Sequence, residues 1–404
     1  LFSLCFLIQG GNLTTEYTLP LQFACVWLAY QSEKIDFLFW RGFLIGILCG
    51  VAFLTKQNTI GIGIAIILYL VIDRSIKDEY TKLLQELFII LFGGLSILLV
   101  IIIYFGYTNV LPDFWNSAFI YNFVYSSSDI KSRISAINSG IQILSSTYLA
   151  QFALVGWSGG IAILIFSNKI NHELRSLITI ALINLPLELL FVSISGRSYA
   201  HYFMILLPVF SFFSGLAFWL FLEGILRIDK SKSTQQPHNS NAGIIVETVG
   251  NMSQLIIAIC VILAFSLFNV KSYIDLVKGY RRHSDTSVIA YIKKSTADDD
   301  TVLLWGAETT TNFFSDRKSP SRFVYQYPLY TPGYTNKQMI EEFLSDIVQN
   351  KPALIINTIN SNTPFMKFNL TSENIDERLR YIRSNYSRTK ILGSWVVYEF
   401  VGIP

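Results

Sequence analysis

A series of long apolar segments in the first two thirds of the chain constrains its fold more than any other feature. A helix needs about 20 apolar residues to cross the hydrocarbon core of a membrane, with about 17 to 25 usual. The segments that meet or approach this length are residues 13–30, 87–105, 149–167, 177–194, 203–222 and 254–269. We therefore expect a polytopic α-helical membrane domain over residues 1–269.

The distribution of charge separates this domain from the rest of the chain. Charged side chains make up 28 of the first 269 residues, or about 10%, and 31 of the last 135, or about 23%. An ordinary soluble domain has about 25% charged residues, so residues 270–404 are predicted to form a soluble domain. The net charge of +3 is small and evenly spread, which excludes nucleic acid as a partner.

One apolar stretch, residues 42–72, is interrupted by the polar run Thr55-Lys56-Gln57-Asn58 and fits either one long span or two short ones. With two spans, 10 basic loop residues lie on the cytoplasmic side and 4 outside, whereas one span gives 8 and 5. The positive-inside rule favours two spans. Each is then about 14 residues, too short to cross by itself, and Lys56 is expected in a cavity below the membrane surface.

The loops and the C-terminal domain also show patterns. Residues 106–148 carry aromatic residues at helical spacing, which predicts a helix on the extracytoplasmic surface, and residues 227–250 read as a flexible cytoplasmic linker. After residue 269 we expect helices at 284–295 and 336–349 and strands at 301–305, 353–357 and 389–400. This order predicts a small α/β domain, which the span count places outside the cytoplasm.

Glu16 opens the first complete span in the run Asn12-Leu-Thr-Thr-Glu16. In one interpretation, Asn12 caps the helix and Glu16 complements the helix dipole in the first turn. In the other, Glu16 lines a polar cavity and binds a hydroxyl-rich or cationic group. The sequence favours neither interpretation.

Lys56 and Gln57 lie at the break between the two short helices. A lysine in this position either snorkels to the interface or binds a phosphate, which the helix N-terminus after Asn58 would also attract. The accompanying polar residues favour phosphate binding.

A second polar segment, Ser195-Gly-Arg197-Ser-Tyr-Ala-His201-Tyr202, joins two later spans on the same side as Lys56. A lone histidine or arginine is more often structural. Arg197, His201 and Tyr202 at the start of one helix together predict a site for an anion and a sugar.

No metal site or cofactor is identified from the residues. All four cysteines lie in apolar runs, and the run Asp298-Asp299-Asp300 has the composition of a solvated turn without the ligand spacing of a metal site.

Several of these motifs together resemble a known family. The chain is similar to GT-C type membrane glycosyltransferases in three successive motifs. They are Asn-Leu-Thr-Thr-Glu at 12–16, Gly-x3-Gly-Val-Ala-Phe-Leu-Thr-Lys at 46–56 and Gly-Arg-x3-His-Tyr-Phe-x4-Pro at 196–208. The nearest resemblance is to the family of dolichyl-phosphate-mannose protein mannosyltransferases and aminoarabinose lipid A transferases. It covers about the first 270 residues, and the tail resembles the extracytoplasmic domain of many bacterial members.

The resemblance implies a polyprenyl-phosphate sugar donor in the lipid bilayer and an extracytoplasmic acceptor, which is a protein, a lipid or a glycan. Lys56, Arg197 and His201 would hold the phosphate and stabilise it as a leaving group. In the family a carboxylate in the first outer loop acts as base. That loop would precede residue 1, so we expect no catalytic base in this chain and no activity from it by itself.

Two other classes of function remain open. A polytopic transporter or lipid flippase would also use broken helices and charges at the membrane midplane, although the chain has no detectable repeat. The other class is a non-catalytic member of the family, whose α/β tail binds a partner. The leading prediction is a multi-pass glycosyltransferase of the plasma or inner membrane, with its C-terminal domain extracytoplasmic.

Overall fold

The computed structural model describes two separate units. The described residues are 13–30, 38–126, 128–146, 148–167, 170–233, 286–306, 308–358 and 368–402, with single residues at 263, 270 and 274. One unit comprises residues 1–118 and 126–280, and the other comprises residues 119–125 and 281–404. Asn12, most of the linker and nearly all of the span predicted at 254–269 lie outside the described residues, so the predicted domain boundary at 269 stays a prediction.

The first unit is helical throughout its described part. Its principal helices are α1 (Thr14–Tyr30), α2 (Leu38–Thr55), α3 (Gly61–Ile76), α4 (Tyr80–Tyr107), α5 (Leu111–Trp115), α7 (Ile130–Ser145), α8 (Leu149–Phe166), α9 (His172–Ser193) and α10 (Leu207–Ser233). The short helix α6 (Tyr121–Tyr125) lies between α5 and α7 in the chain and belongs to the second unit. A 3-10 helix, Ala200–Leu206, precedes α10, and a π-helix, Asn116–Ile120, follows α5. The aromatic stretch after residue 106 is therefore helical, as predicted.

Five helical segments in the described part are long and apolar enough to cross a membrane: Gln57–Ile76, Tyr80–Tyr107, Leu149–Phe166, His172–Ser193 and Ala200–Leu222. The prediction that the chain divides into two helices at Lys56 is confirmed. The two helices are longer than expected, because α2 has 18 residues and the segment Gln57–Ile76 has 20. The expectation that neither is long enough to cross by itself is therefore wrong for the second.

Helices α2 and α4 approach each other through glycines. A Cβ atom on Gly46 would collide with the carbonyl oxygen of Ile90, and one on Gly93 would collide with that of Phe43. Small residues spaced four apart let helix backbones pack closely in membranes, where no hydrophobic effect drives helices together. The side of α4 away from this contact exposes large apolar side chains, including Leu84 and Phe88 at 68% each, as expected for a lipid-facing surface.

A second apolar core joins α8, α9, α10 and the 3-10 helix before α10. Phe203, Phe213 and Ile178 are fully buried in it. Gly156 on α8 lies directly against the backbone carbonyl of Phe213. These contacts fix the segment 200–213, which carries His201 and Tyr202, against the rest of the unit.

The second unit is a small α/β domain around a four-stranded sheet. Its strands are β1 (Val302–Trp305), β2 (Leu354–Asn357), β3 (Tyr386–Leu392) and β4 (Trp395–Phe400), in the order β1-β2-β4-β3. Strands β1 and β2 are parallel, with Val302 beside Leu354, whereas β4 is antiparallel to both of its neighbours. Helices α11 (Thr286–Ser295), α12 (Thr309–Ser315), α13 (Lys337–Asn350) and α14 (Glu373–Asn385) complete the unit.

Alternate residues of the buried strands supply two cores, one on each face of the sheet. Leu303, Trp305 and Ile355 pack with the apolar sides of α13 and α14. Val302 and Leu354 pack on the opposite face against α11. Helices on both faces explain why β1 is apolar at every position and β2 at every position except its last, Asn357.

The sequence prediction for this unit is confirmed for β1, β2, α11 and α13, whose observed bounds differ from the expected ones by one or two residues. The single closing strand expected at 389–400 is in fact a hairpin of β3 and β4. Gly393, with φ of +59°, makes the turn together with Ser394. A Gly-Ser pair between two β-rich runs is a hairpin signal.

Candidate functional site

The break between α2 and α3 places Lys56 between two helices. Lys56 adopts an extended backbone, with φ of −161° and ψ of 112°, and a 3-10 turn, Gln57–Thr59, leads into α3. The buried hydroxyl of Thr59 holds this turn, because it donates to the carbonyl oxygens of Ala52 at 3.0 Å and of Lys56 at 2.7 Å. The position of the lysine is thus set by hydrogen bonds within the break.

The ammonium group of Lys56 contacts side chains from two other parts of the chain. Its Nζ donates to Oγ1 of Thr15, a fully buried residue of α1, at 2.6 Å. The same nitrogen lies 4.5 Å from the centroid of the Tyr202 ring, a cation–π contact. Lys56 is half-buried, so its charge is positioned within the unit and is not simply extended into solvent.

The Tyr202 ring packs with two other rings, those of Tyr199 and His201, at the start of the 3-10 helix Ala200–Leu206. The ring of Tyr202 lies edge-on to that of His201, with centroids 4.7 Å apart, and to that of Tyr199, at 5.5 Å. Tyr199 and His201 stack at 5.8 Å. The structure therefore brings Lys56, His201 and Tyr202 together, as the sequence predicts, and adds Thr15 and Tyr199.

Glu16 and Gln57 make different contacts. The carboxylate of Glu16 accepts a hydrogen bond from the backbone N–H of Leu13 at 3.1 Å, the contact expected of a residue that closes the N-terminus of α1. Gln57 donates from Nε2 to the carbonyl oxygen of Ala118 at 2.8 Å. Glu16 thus contacts the first turn of its own helix, whereas the cap predicted at Asn12 lies outside the described residues. Gln57 contacts the segment that follows α5.

Arg197 lies on an exposed turn between α9 and the 3-10 helix. Its backbone N–H donates to Oγ of Ser195 at 3.3 Å, and Gly196 beside it has φ of +63°. A Cβ atom at Gly196 would collide with Ser128, so this tight turn requires glycine. The side chain of Arg197 is exposed to the medium on this turn.

The N-terminus of α3 differs from the expectation. The sequence predicts that this helix end attracts a phosphate, but the carboxylate of Glu188, from α9, already lies there. A Cβ atom on Gly61 would be 2.6 Å from Oε1 of Glu188, and the backbone N–H of Ile62 acts on the carboxylate as a donor. An internal carboxyl group thus already occupies this helix end, so a bound phosphate has to depend on Lys56 and its neighbours.

Glu188 belongs to a buried polar group that the sequence analysis did not include. Glu188 is fully buried, Gln22 on α1 is 2% exposed and Asn184 on α9 is 4% exposed. Nε2 of Gln22 donates to Oε1 of Glu188 at 3.4 Å. A carboxylate inside the apolar segment 177–194 is a functional candidate by default, and that rule, applied to every span, would have found Glu188.

These residues can bind a group that carries both negative charge and hydroxyls. The ammonium of Lys56 supplies the positive charge, and the rings of Tyr199 and Tyr202 supply apolar faces. Oδ1 of Asn58, two residues from Lys56, is buried and has no hydrogen-bond partner within the described part of the chain. It is therefore an acceptor that a hydroxyl donor can satisfy.

Comparison with known proteins adds no relative, because no protein-family model, curated protein or solved structure matches the chain.

Proposed function

We propose that this chain is the membrane part, with an appended α/β domain, of a glycosyltransferase that takes a sugar from a polyprenyl-phosphate donor. The acceptor, whether protein, lipid or glycan, approaches from the extracytoplasmic side, which is also where the proposal places the α/β domain. The observation that carries the proposal is the position of Lys56 between α2 and α3, with its Nζ on Thr15 and over the ring of Tyr202.

Lys56 suits a lipid phosphate for a physical reason. A charge at a break between two apolar helices is costly to bury, and such charges in membrane segments mark ligand sites. A phosphate ester that lies in the bilayer brings a matching negative charge to this depth, while its polyprenyl chain remains among the apolar helices. In the transfer step the phosphate leaves with additional negative charge, which a nearby ammonium stabilises.

The neighbours of Lys56 suit the sugar part of the donor. A pyranose ring has an apolar face, which packs on aromatic rings such as those of Tyr199 and Tyr202. Its hydroxyl groups donate hydrogen bonds, and Oδ1 of Asn58, which pairs with no described residue, accepts one. The proposal assigns no general base to this chain.

A transporter or flippase is the second candidate, and one observation favours it. The fully buried Glu188 lies at the N-terminus of α3, directly after the helix break. Buried carboxylates beside interrupted helices are typical of ion-coupled transporters. The two candidates differ in outcome, because only a transferase makes a new glycosidic bond.

Transfer of a labelled sugar from polyprenyl phosphate to an extracytoplasmic acceptor, measured in membranes that carry the whole protein, tests the proposal. We expect Lys56→Ala to lower the transfer rate at limiting donor by about tenfold or more, the effect of losing one charge-assisted phosphate contact. Lys82→Ala is the matched control, because Lys82 lies in the first turn of α4, is 44% exposed and pairs with Glu79 at 3.6 Å.

Two results would overturn the proposal. An unchanged transfer rate in both Lys56→Ala and Arg197→Ala would show that these residues do not bind the phosphate of the donor. Movement of the donor lipid across the bilayer without formation of a glycosidic bond would show that the protein transports the lipid and does not transfer the sugar.

A further inference from the structure

A cavity of about 340 Å³ lies among α1, α3, α9 and α10 in the first unit. Most of its wall is apolar, with Phe23, Ile180 and Phe212 among the residues that form it. The polar members of the wall are Gln22 and Asn184, together with Ser211 at the surface. This combination of an apolar wall with a few convergent polar groups is typical of a ligand site.

The two amides leave hydrogen-bond acceptors in the cavity wall without partners. Oε1 of Gln22 and Oδ1 of Asn184 are both buried and have no hydrogen-bond partner within the part of the chain that the structure describes. Gln22 and Asn184 are 2% and 4% exposed, so solvent does not satisfy these oxygens. Buried polar atoms are normally paired, and two unpaired ones in one cavity wall indicate a ligand that pairs them.

The orientation of Gln22 determines what kind of group that ligand presents. Nε2 of Gln22 donates to the fully buried carboxylate of Glu188 at 3.4 Å, which leaves its carbonyl oxygen as the unpaired atom. Asn184 also presents its carbonyl oxygen as the unpaired atom. The cavity therefore offers acceptors, and the ligand must supply a donor.

The charge of the wall restricts the ligand further. None of the described residues that line the cavity is charged, and the carboxylate of Glu188 lies behind Gln22. A phosphate would bring a negative charge to a wall of carbonyl oxygens with no cation to offset it, whereas a neutral hydroxyl costs far less to bury and gains the hydrogen bonds.

The cavity is accessible from the lipid side of the unit. Phe23 is 52% exposed and Ser211 is exposed, although both line the cavity. At about 30 Å³ for each water-sized group, the volume holds on the order of ten non-hydrogen atoms. It therefore accommodates a head group and the first part of a chain, while the rest of the chain remains in the bilayer.

We propose that this cavity binds the hydroxyl head of an uncharged, single-chain lipid alcohol, with Gln22 and Asn184 accepting hydrogen bonds from it. The site is separate from that of Lys56, because Gln22 lies seven residues, about two helical turns, after Thr15 on α1. The proposal does not depend on glycosyl transfer.

Photolabelling of the chain in lipid nanodiscs tests this inference with three probes that share one diazirine-bearing C16 chain. The first ends in a hydroxyl, the second in a methyl ether and the third in a phosphate. We expect the alcohol to label peptides that line the cavity at least about tenfold more than the ether does, because the ether leaves the acceptors unpaired. In Asn184→Leu, which has a similar volume and no acceptor, that preference should fall to about twofold or less.

A second variant keeps the test decisive if Asn184→Leu does not fold. Ser211→Phe narrows the cavity at an exposed position, and it should lower labelling by the alcohol about tenfold. Ser158→Phe, at an exposed position of α8 that is not among the lining residues, is the matched control and should leave labelling unchanged.

The inference is overturned if the alcohol and the ether label the cavity equally, or if Ser211→Phe leaves alcohol labelling unchanged. It is also overturned if the phosphate labels the cavity more strongly than the alcohol. Loss of phosphate labelling in Lys56→Ala alone would concern the other site.

Discussion

The guanidinium group of Arg74 holds both carboxylate oxygens of Glu86, with Nε 3.0 Å from Oε2 and Nη2 2.9 Å from Oε1. Arg74 lies in the last turn of α3, and Glu86 lies in the second turn of α4. The Glu86 side chain is only 3% exposed, and Arg41 of α2 adds a second cation 3.8 Å away. One buried carboxylate thus joins three helices at the same end of the unit.

Removal of this carboxylate should destabilise the unit strongly. In Glu86→Gln, Arg41 loses the carboxylate 3.8 Å away and Arg74 keeps only Asp73 and Glu79. Breaking a buried pair in this way costs about 3 to 5 kcal/mol. Glu79→Gln is the comparison, because Glu79 also pairs with Arg74, at 3.1 Å, but is 40% exposed, so its loss should cost only about 0 to 1 kcal/mol. Thermal unfolding in detergent measures both variants, and equal melting temperatures would contradict the prediction.

Thr15→Val should destabilise the chain through Lys56. The substitution keeps the shape of the side chain but removes the hydroxyl that accepts from Nζ at 2.6 Å. A hydrogen bond to a charged group contributes about 1.5 to 3 kcal/mol, so we expect a loss in that range.

The matched control for Thr15→Val is Thr18→Val. Thr18 is equally buried, but its hydroxyl donates to the carbonyl oxygen of Thr15 within the same helix, at 2.8 Å. That carbonyl remains in a helix after the substitution, so the expected loss is that of one neutral hydrogen bond, about 0.5 to 1.5 kcal/mol. A loss of the same size in both variants would mean that the contact with Lys56 contributes nothing.

Gly46→Leu should force α2 and α4 apart. The site has no room for a side chain, because a Cβ atom would collide with the carbonyl oxygen of Ile90. We expect a loss of about 3 kcal/mol, the upper part of the range for overpacking. Gly106→Leu, in the last turn of α4 and with nothing within 4 Å of its Cβ position, should instead gain about 0.5 to 1 kcal/mol from helix propensity. A lower melting temperature for Gly46→Leu and a higher one for Gly106→Leu would distinguish the effect of packing from that of helix propensity.

The second unit should lose stability in alkali through Tyr330. Its hydroxyl accepts from Nε1 of Trp305 at 2.9 Å, and burial raises the pKa of Tyr330 to about 12. In the unfolded chain the pKa of a tyrosine is about 10. Between pH 10 and pH 12 the unfolded state therefore loses the proton first, and the free energy of unfolding falls by about 2 kcal/mol on this account.

Tyr330→Phe removes this titration and leaves the other tyrosines in place. The variant should be about 1 kcal/mol less stable at neutral pH, because the N–H of Trp305 loses its partner. Its stability should then fall less steeply than that of the parent chain above pH 10, as followed by tryptophan fluorescence. Parallel curves over this range would rule out Tyr330 as the group responsible.

The amino-acid sequence by itself determined the parts of the fold that depend on local pattern. Apolar length predicted the helical segments, the polar run around Lys56 predicted the division into two helices, and short continuous apolar runs predicted β1 and β2. These features follow from which stretches can leave water, and composition and periodicity encode that directly.

Only the tertiary structure decided which polar groups meet. Thr15, Lys56 and Tyr202 come from distant segments, and no spacing rule pairs them. Helix packing likewise places Glu188 at the N-terminus of α3. It also places Gln22 and Asn184 in one cavity wall. The direction in which a buried side chain points is set by the faces that adjacent helices bury, and that choice involves the whole unit at once.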